Sequence, residues 1–241
     1  MLALGGTFAF RELASLSDAA RAAPGAARVV NCAALGAAQL CGDSAMTPVR
    51  GAAVLVRCAG VHGVYNDESC GGPALTYIVP KGGDVVACLG SYEPGATRRD
   101  VPPEEAAAIV QRCAAMLPAL RGAPVLSTWA GLRPVREAAA GGVRVAAEAL
   151  AGGGDVVVVH NYGCAWTAGF CKMPSLTCAH APARHGGSGV IVSWGCAEDV
   201  VRLAGKAGGR LQPRPLPAAA AAGLPPLSAR RTNGVLLHAR L

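Results

Sequence analysis

The residue best suited to chemistry in this chain is Arg133, held in Trp129-Ala-Gly-Leu-Arg-Pro134. A guanidinium presents a planar fork of N–H donors, and a carboxylate accepts two of them in parallel. Pro134 stiffens the turn that aims it. Taken alone, the turn also fits an ordinary arginine at a strand end. Tyr77, in Thr76-Tyr-Ile-Val-Pro80, reads by itself as a strand aromatic packed in a core, with a hydroxyl that can donate. Tyr65, in Val64-Tyr-Asn66, is a second tyrosine of this kind. A third group is the turn His185-Gly-Gly-Ser-Gly189, followed by Val190 and Ile191. Glycines at Gly186, Gly187 and Gly189, with Ser188 between, let backbone N–H groups come close to a bound anion. A helix behind such a turn adds its positive end.

The elements that must position these groups are legible as runs. Strand-like segments are Arg28–Cys32, Ala53–Arg57, Leu75–Val79, Val85–Leu89, Val125–Thr128, Val143–Val145 and Asp155–His160. The first and last are short and apolar throughout, as in strands covered on both faces. Pro102-Pro-Glu-Glu105 opens a helix, with prolines at the start and acids in the first turn. Ile109, Val110, Cys113, Met116 and Leu117 follow at helical spacing, and Pro118 ends it. Ser15–Ala23 reads as a second helix. Gly195–Ala204 reads as a third, with Ala197, Val200, Val201 and Ala204 on one face. This is an α/β chain.

Composition narrows the classes. The chain has 241 residues, 52% hydrophobic and 15% charged, which excludes a disordered polymer. The net charge of +7 is not a nucleic-acid signal. Up to Asp199, 15 basic residues balance 15 acidic ones, and the excess lies in Arg202, Lys206, Arg210, Arg214, Arg230, Arg231 and Arg240. No basic stripe with interleaved aromatics exists, so no nucleic-acid partner is expected. No apolar run reaches membrane length, and Met1–Ala9 lacks the parts of a secretory signal. The ten cysteines are therefore expected to be mostly free and buried in a reducing compartment.

The motifs share an order that resembles the D-amino-acid oxidase family, from about Phe10 to Ala204. Val29-Val-Asn-Cys-Ala-Ala-Leu-Gly36 resembles the family's Val-Asn-Cys-Thr-Gly-Leu-Gly, with Ala33 and Ala34 in place of Thr and Gly. Pro48-Val-Arg-Gly51 resembles its Pro-x-Arg-Gly-Gln, with Ala52 in place of Gln. Phe10–Leu16 resembles the preceding strand. The resemblance implies an FAD cofactor, with Leu13, Ala33, Gly131, His185, Gly186, Gly187, Ser188, Gly189, Val190 and Ile191 as its contacts. It implies Arg133 and Tyr77 on the carboxylate of a D-amino acid, Tyr65 as a further active-site tyrosine, and Gly187 also facing substrate. Hydride transfer to the flavin and reoxidation by O₂ would then yield 2-oxo acid, ammonia and H₂O₂. The implied fold is an incomplete D-amino-acid oxidase type. Residues 1–49 and 135–210 would form a partial Rossmann-like FAD-binding domain, and residues 50–134 a mixed-sheet substrate domain.

Two departures stand out. A Gly-x-Gly-x-x-Gly after a strand and before a helix is not present, and Gly5-Gly6 has neither the spacing nor the strand. Residues 164–184 separate His160-Asn-Tyr-Gly163 from His185, and deleting them restores the family's spacing. Cys164, Cys171, Cys178, His180 and His185 in and beside this insert lack the Cys-x-x-Cys knuckle of zinc sites, so no metal is expected. The insert reads as an extraneous loop of the kind a retained intron leaves. Residues 211–241 form a Pro/Ala-rich tail ending in Ala239-Arg240-Leu241, which fits a peroxisomal address read by an import receptor. The resemblance leaves a homodimer open. The rival readings are a non-catalytic fragment and a peroxisomal interaction protein without cofactor.

Overall fold

The computed structural model describes residues 6–67, 75–163 and 189–206. The insert 164–184, His185, Gly186, Gly187, Ser188 and the tail with Ala239, Arg240 and Leu241 lie outside the described residues.

Two sheets organise the chain. The smaller has three strands in the order β1-β9-β8: β1 Arg28–Asn31, β8 Arg144–Ala149 and β9 Val157–Tyr162. β1 runs parallel to β9 in the register Asn31↔His160, and β8 runs antiparallel to β9. Val158 and Val159 are fully buried, because β9 is central and its aliphatic run is covered on both faces. Val30 on β1 is 47% exposed, because β1 pairs with β9 alone among the described residues. Helix α1, Leu16–Ala22, starts on a capping box in which Ser15 and Asp18 satisfy each other's backbone N–H, and the one-turn α2, Ala37–Leu40, follows β1. Helix α4, Gly189–Lys206, packs on β8 and β9. Its buried side carries Cys196, Asp199 and Ala204, while Val201 is exposed and so is Ala197. Of the apolar stripe Ala204 is thus buried while Ala197 and Val201 are not, and Asp199 is drawn inward with Arg202 as its partner.

The larger sheet has six strands. β2 (Met46–Arg57) is its spine, with β7 (Val125–Arg136) along one edge. Along the other edge lie β5 (Val85–Leu89) and the two-residue β6 (Glu93–Pro94). β4 (Thr76–Gly82) and β3 (Tyr65–Asp67) continue outward from β5. All these pairs are antiparallel. Because side chains alternate, one face carries Ala52, Val54, Val56, Ile78, Val86 and Cys88. Helix α3, Pro103–Met116, covers that face with Ala106, Ile109 and Cys113. Arg50, with no exposed surface, lies on the same face. It grips Glu105 in the first turn of α3 with two hydrogen bonds, of 2.7 and 3.0 Å, and also Glu93. Burial pushes the Glu105 carboxyl up, but Arg50 and Arg98 outweigh it and hold it below its ordinary range.

One expectation is corrected here. Gly131-Leu-Arg-Pro134 is not a turn. It continues β7, with Arg133 opposite Val49 and Pro134 opposite Pro48. Among the described residues β7 pairs with β2 alone, so Pro134 removes no ladder hydrogen bond that this sheet needs. The sequence also understated β2 and β7, which reach twelve residues each.

Candidate functional site

The second face of the large sheet carries the chemistry. Register rows place Tyr77, Leu89, Ala53 and Trp129 side by side across β4, β5, β2 and β7. Gly51↔Gly131 and Val49↔Arg133 form the next two rows on the same face. Arg133 and Tyr77 start three strands apart, yet the Arg133 Nη2 donates to the Tyr77 hydroxyl at 3.1 Å. Nη1 donates to the Ser91 carbonyl at 3.3 Å. The guanidinium can cross β2 only because residue 51 has no side chain. A Cβ there would lie 2.0 Å from Nη1 and 2.4 Å from Cζ. Gly131 has a matching role: a Cβ on it would meet the Trp129 ring at 3.0 Å. Sequence reasoning singled out Gly51 within Pro48-Val-Arg-Gly51 without finding this purpose.

The arrangement suits an anion with two oxygens. Arg133 and Tyr77 are each half-buried, so solvent only partly screens them. The phenol is already oriented by the guanidinium. Tyr65 is not brought to the pair. β3 pairs Tyr65 with Ile78 and Asn66 with Tyr77, so alternation puts Tyr65 in register with the face that α3 covers. Its ring lies by Gly63 and is 38% exposed.

The expected nucleotide contacts lie mainly on the smaller sheet. Ala33 follows the carboxyl end of β1, where open parallel sheets bind ligands. Its N–H is held by the Asn31 side chain at 3.0 Å. Ala34 adopts φ 53, a left-handed conformation that a glycine would take at no cost. The turn after β1 is therefore left-handed at an alanine, at a modest backbone cost. Leu13 is half-buried in the segment leading to α1. Gly189, Val190 and Ile191 form the first turn of α4. Beneath this sheet His160, fully buried, faces Asn31 at 3.2 Å and Glu148 at 2.8 Å. Among the described residues no cluster of His, Cys, Asp and Glu could hold a metal ion, and no helix is long and apolar enough to cross a membrane.

A buried joint connects the two sheets, and nothing in the sequence announced it. Asp43 accepts from Arg136 Nε at the end of β7 and from the Tyr162 hydroxyl at the end of β9, both at 2.8 Å. Arg144 stands 3.8 Å away. Burial raises the Asp43 pKa, but the hydrogen bonds from Arg136 and Tyr162 outweigh it and hold the carboxyl below its ordinary range. Burial also pushes the Tyr162 phenol up.

The end of the parallel β1–β9 pair thus carries a left-handed turn, and the second face of the large sheet holds a guanidinium against a phenol. Residues 1–203 match the model of the family described as FAD dependent oxidoreductase, and the chain belongs to that family, which includes the D-amino-acid oxidases. It is 42% identical over 204 residues to a D-amino-acid oxidase of Rubrobacter xylanophilus, covering 84% of this chain and 52% of that protein. A D-amino-acid oxidase of Streptomyces coelicolor is 38% identical over 204 residues, covering 85% and 53%. The chain thus spans about half the length of the curated relatives it matches. The glycine oxidase structure from Bacillus cereus resembles the fold with a TM-score of 0.52 at 23% identity, covering 74% of this chain and 42% of that one.

Proposed function

We propose that this chain carries the substrate-carboxylate clamp of an FAD-dependent oxidase that converts D-amino acids, O₂ and water to 2-oxo acids, ammonia and H₂O₂. The single observation that carries the reading is the Arg133–Tyr77 contact over Gly51. Arg133 takes both oxygens of the substrate carboxylate as a fork, and Tyr77 donates to one of them. Fixing the carboxylate leaves the substrate only rotation about one axis, so the Cα–H can be aimed. Bound FAD supplies the hydride acceptor. No side chain has to remove the Cα proton. Ala33, Leu13, Gly131 and residues 185–191 would hold the cofactor, with Gly187 also near substrate.

In this reading residues 1–49 and 135–210 form the partial FAD-binding domain and 50–134 the substrate domain. Ala239-Arg240-Leu241 would engage a peroxisomal import receptor, suited to a protein whose product is H₂O₂. A homodimer is compatible with it.

The test is carboxylate binding to the chain itself. Benzoate, titrated by ligand-observed NMR, should bind, and Arg133→Ala should abolish it while Arg133→Lys keeps only part. Binding that is indifferent to both Arg133 and Tyr77→Phe would overturn the assignment.

A further inference from the structure

We infer that Trp129 is the specificity-determining residue of this site, selecting D-amino acids with flat, apolar side chains over acidic ones. The inference rests on the carboxylate clamp proposed above and goes beyond it to the other end of the substrate.

Trp129 shares a register row with Tyr77 and lies two residues before Gly131 and four before Arg133 on the same face of β7. Its ring leans along the strand onto the space that Gly131 leaves open. The lean is toward Arg133, so the indole forms a wall beside the guanidinium rather than a lone surface aromatic. The ring is 50% exposed. Half of it is thus seated on the sheet, and half is presented to whatever the clamp holds.

The rest of the floor agrees in character. In the four rows that run from Val49 to Leu55, the residues on this face are mostly aliphatic, with Val49, Ala53, Leu55, Leu89 and Val79, while Asn66 stands beside Tyr77 at the β3 edge. Arg133 is the one charged residue among them. It is committed to the α-carboxylate, and the next cation on this face, the exposed Arg57, stands a row beyond Leu55, so a second carboxylate beside Trp129 would be desolvated with no other charge in these rows to meet it. An aromatic or branched aliphatic side chain would instead cover the exposed half of the indole. The stacking geometry of such pairs adds to the area they bury.

The experiment uses the chain as it stands, with D-phenylalanine and D-aspartate as probes and NMR titration as the readout. D-phenylalanine is expected to bind at least tenfold more tightly than D-aspartate. Trp129→Ala should weaken D-phenylalanine by about tenfold, the size of one aromatic contact, and leave D-aspartate unchanged. Trp129→Phe should restore most of the preference. Because the ring is half in water, these variants are expected to melt within a few degrees of the wild type, which circular dichroism checks. If D-aspartate binds as tightly as D-phenylalanine, or if the preference survives Trp129→Ala, the role of Trp129 is refuted while the clamp stands. If neither ligand responds to Arg133→Ala, the clamp itself fails and this inference fails with it.

Discussion

Replacing Gly51 with alanine separates the clamp from the fold. The guanidinium of Arg133 rests where the new methyl group must go, 2.0 Å from Nη1 and 2.4 Å from both Cζ and Nη2. Non-bonded heavy atoms are comfortable at about 3.5 Å, so the guanidinium must retreat by about 1.5 Å. The 3.1 Å bond to Tyr77 and the 3.3 Å bond to Ser91 cannot both survive that movement. The backbone need not follow. Gly51 has no positive φ, so alanine accepts its conformation, and the clashing atoms are the far end of a flexible side chain. Alanine also restricts the unfolded chain, which offsets part of the strain, so stability should change by no more than about 1 kcal/mol. For a chain of this size that is a shift of about 2–4 °C in Tm. Carboxylate binding should suffer far more. Losing one charge-assisted hydrogen bond of the fork costs about 1.5–3 kcal/mol, or about ten- to a hundredfold in affinity. Thermal melts and benzoate titrations on the same preparation decide the matter. A Gly51→Ala protein that keeps full benzoate affinity would show that the guanidinium over Gly51 is not the clamp. A drop in Tm well beyond the stated range would show that Gly51 serves backbone packing instead.

Arg133→Ala should reduce carboxylate affinity by about a hundredfold or more, since both hydrogen bonds of a partly desolvated pair are lost; Arg133→Lys should recover part, and a melt close to wild type would exclude a merely structural role. Asp43→Asn should cost about 3 kcal/mol, because Arg136 loses its buried partner at the joint between the sheets. The folded Asp43 carboxyl sits below its ordinary range, so its contribution is complete above the unfolded value of about 3.9 and is lost as pH falls below that. Urea midpoints measured from pH 6 to pH 3 should therefore fall more steeply for the wild type than for Asp43→Asn, and parallel slopes would refute the assignment. The polypeptide of residues 1–241 should bind FAD weakly or not at all, because no Gly-x-Gly-x-x-Gly cradle is present for the pyrophosphate. A purified chain with a stoichiometric flavin spectrum would contradict this.

The valine-rich runs of β1, β5 and β9, the proline-capped start of α3 and the Ser15 cap of α1 are local facts. Aliphatic branching, fixed φ and side-chain capping act within a few residues, so the sequence displays them directly. The residue types of the proposed clamp were legible through the resemblance to the D-amino-acid oxidase family, because taken alone Arg133 and Tyr77 each also fit an ordinary strand residue. Other features depend on strand parity and register, which are tertiary quantities. Arg133 and Tyr77 lie 56 residues apart and meet because β2 places a glycine between them. Tyr65 and Tyr77 look alike in the sequence, but a one-residue offset in pairing sends Tyr65 to the register of the opposite face. Gly131-Leu-Arg-Pro134 carries the composition of a turn, yet pairing with β2 keeps it extended. The Asp43–Arg136–Tyr162 joint has no local signature at all. Its three groups come from three distant segments, and burial alone makes their pairing matter, because a buried carboxylate must find its partners within the protein.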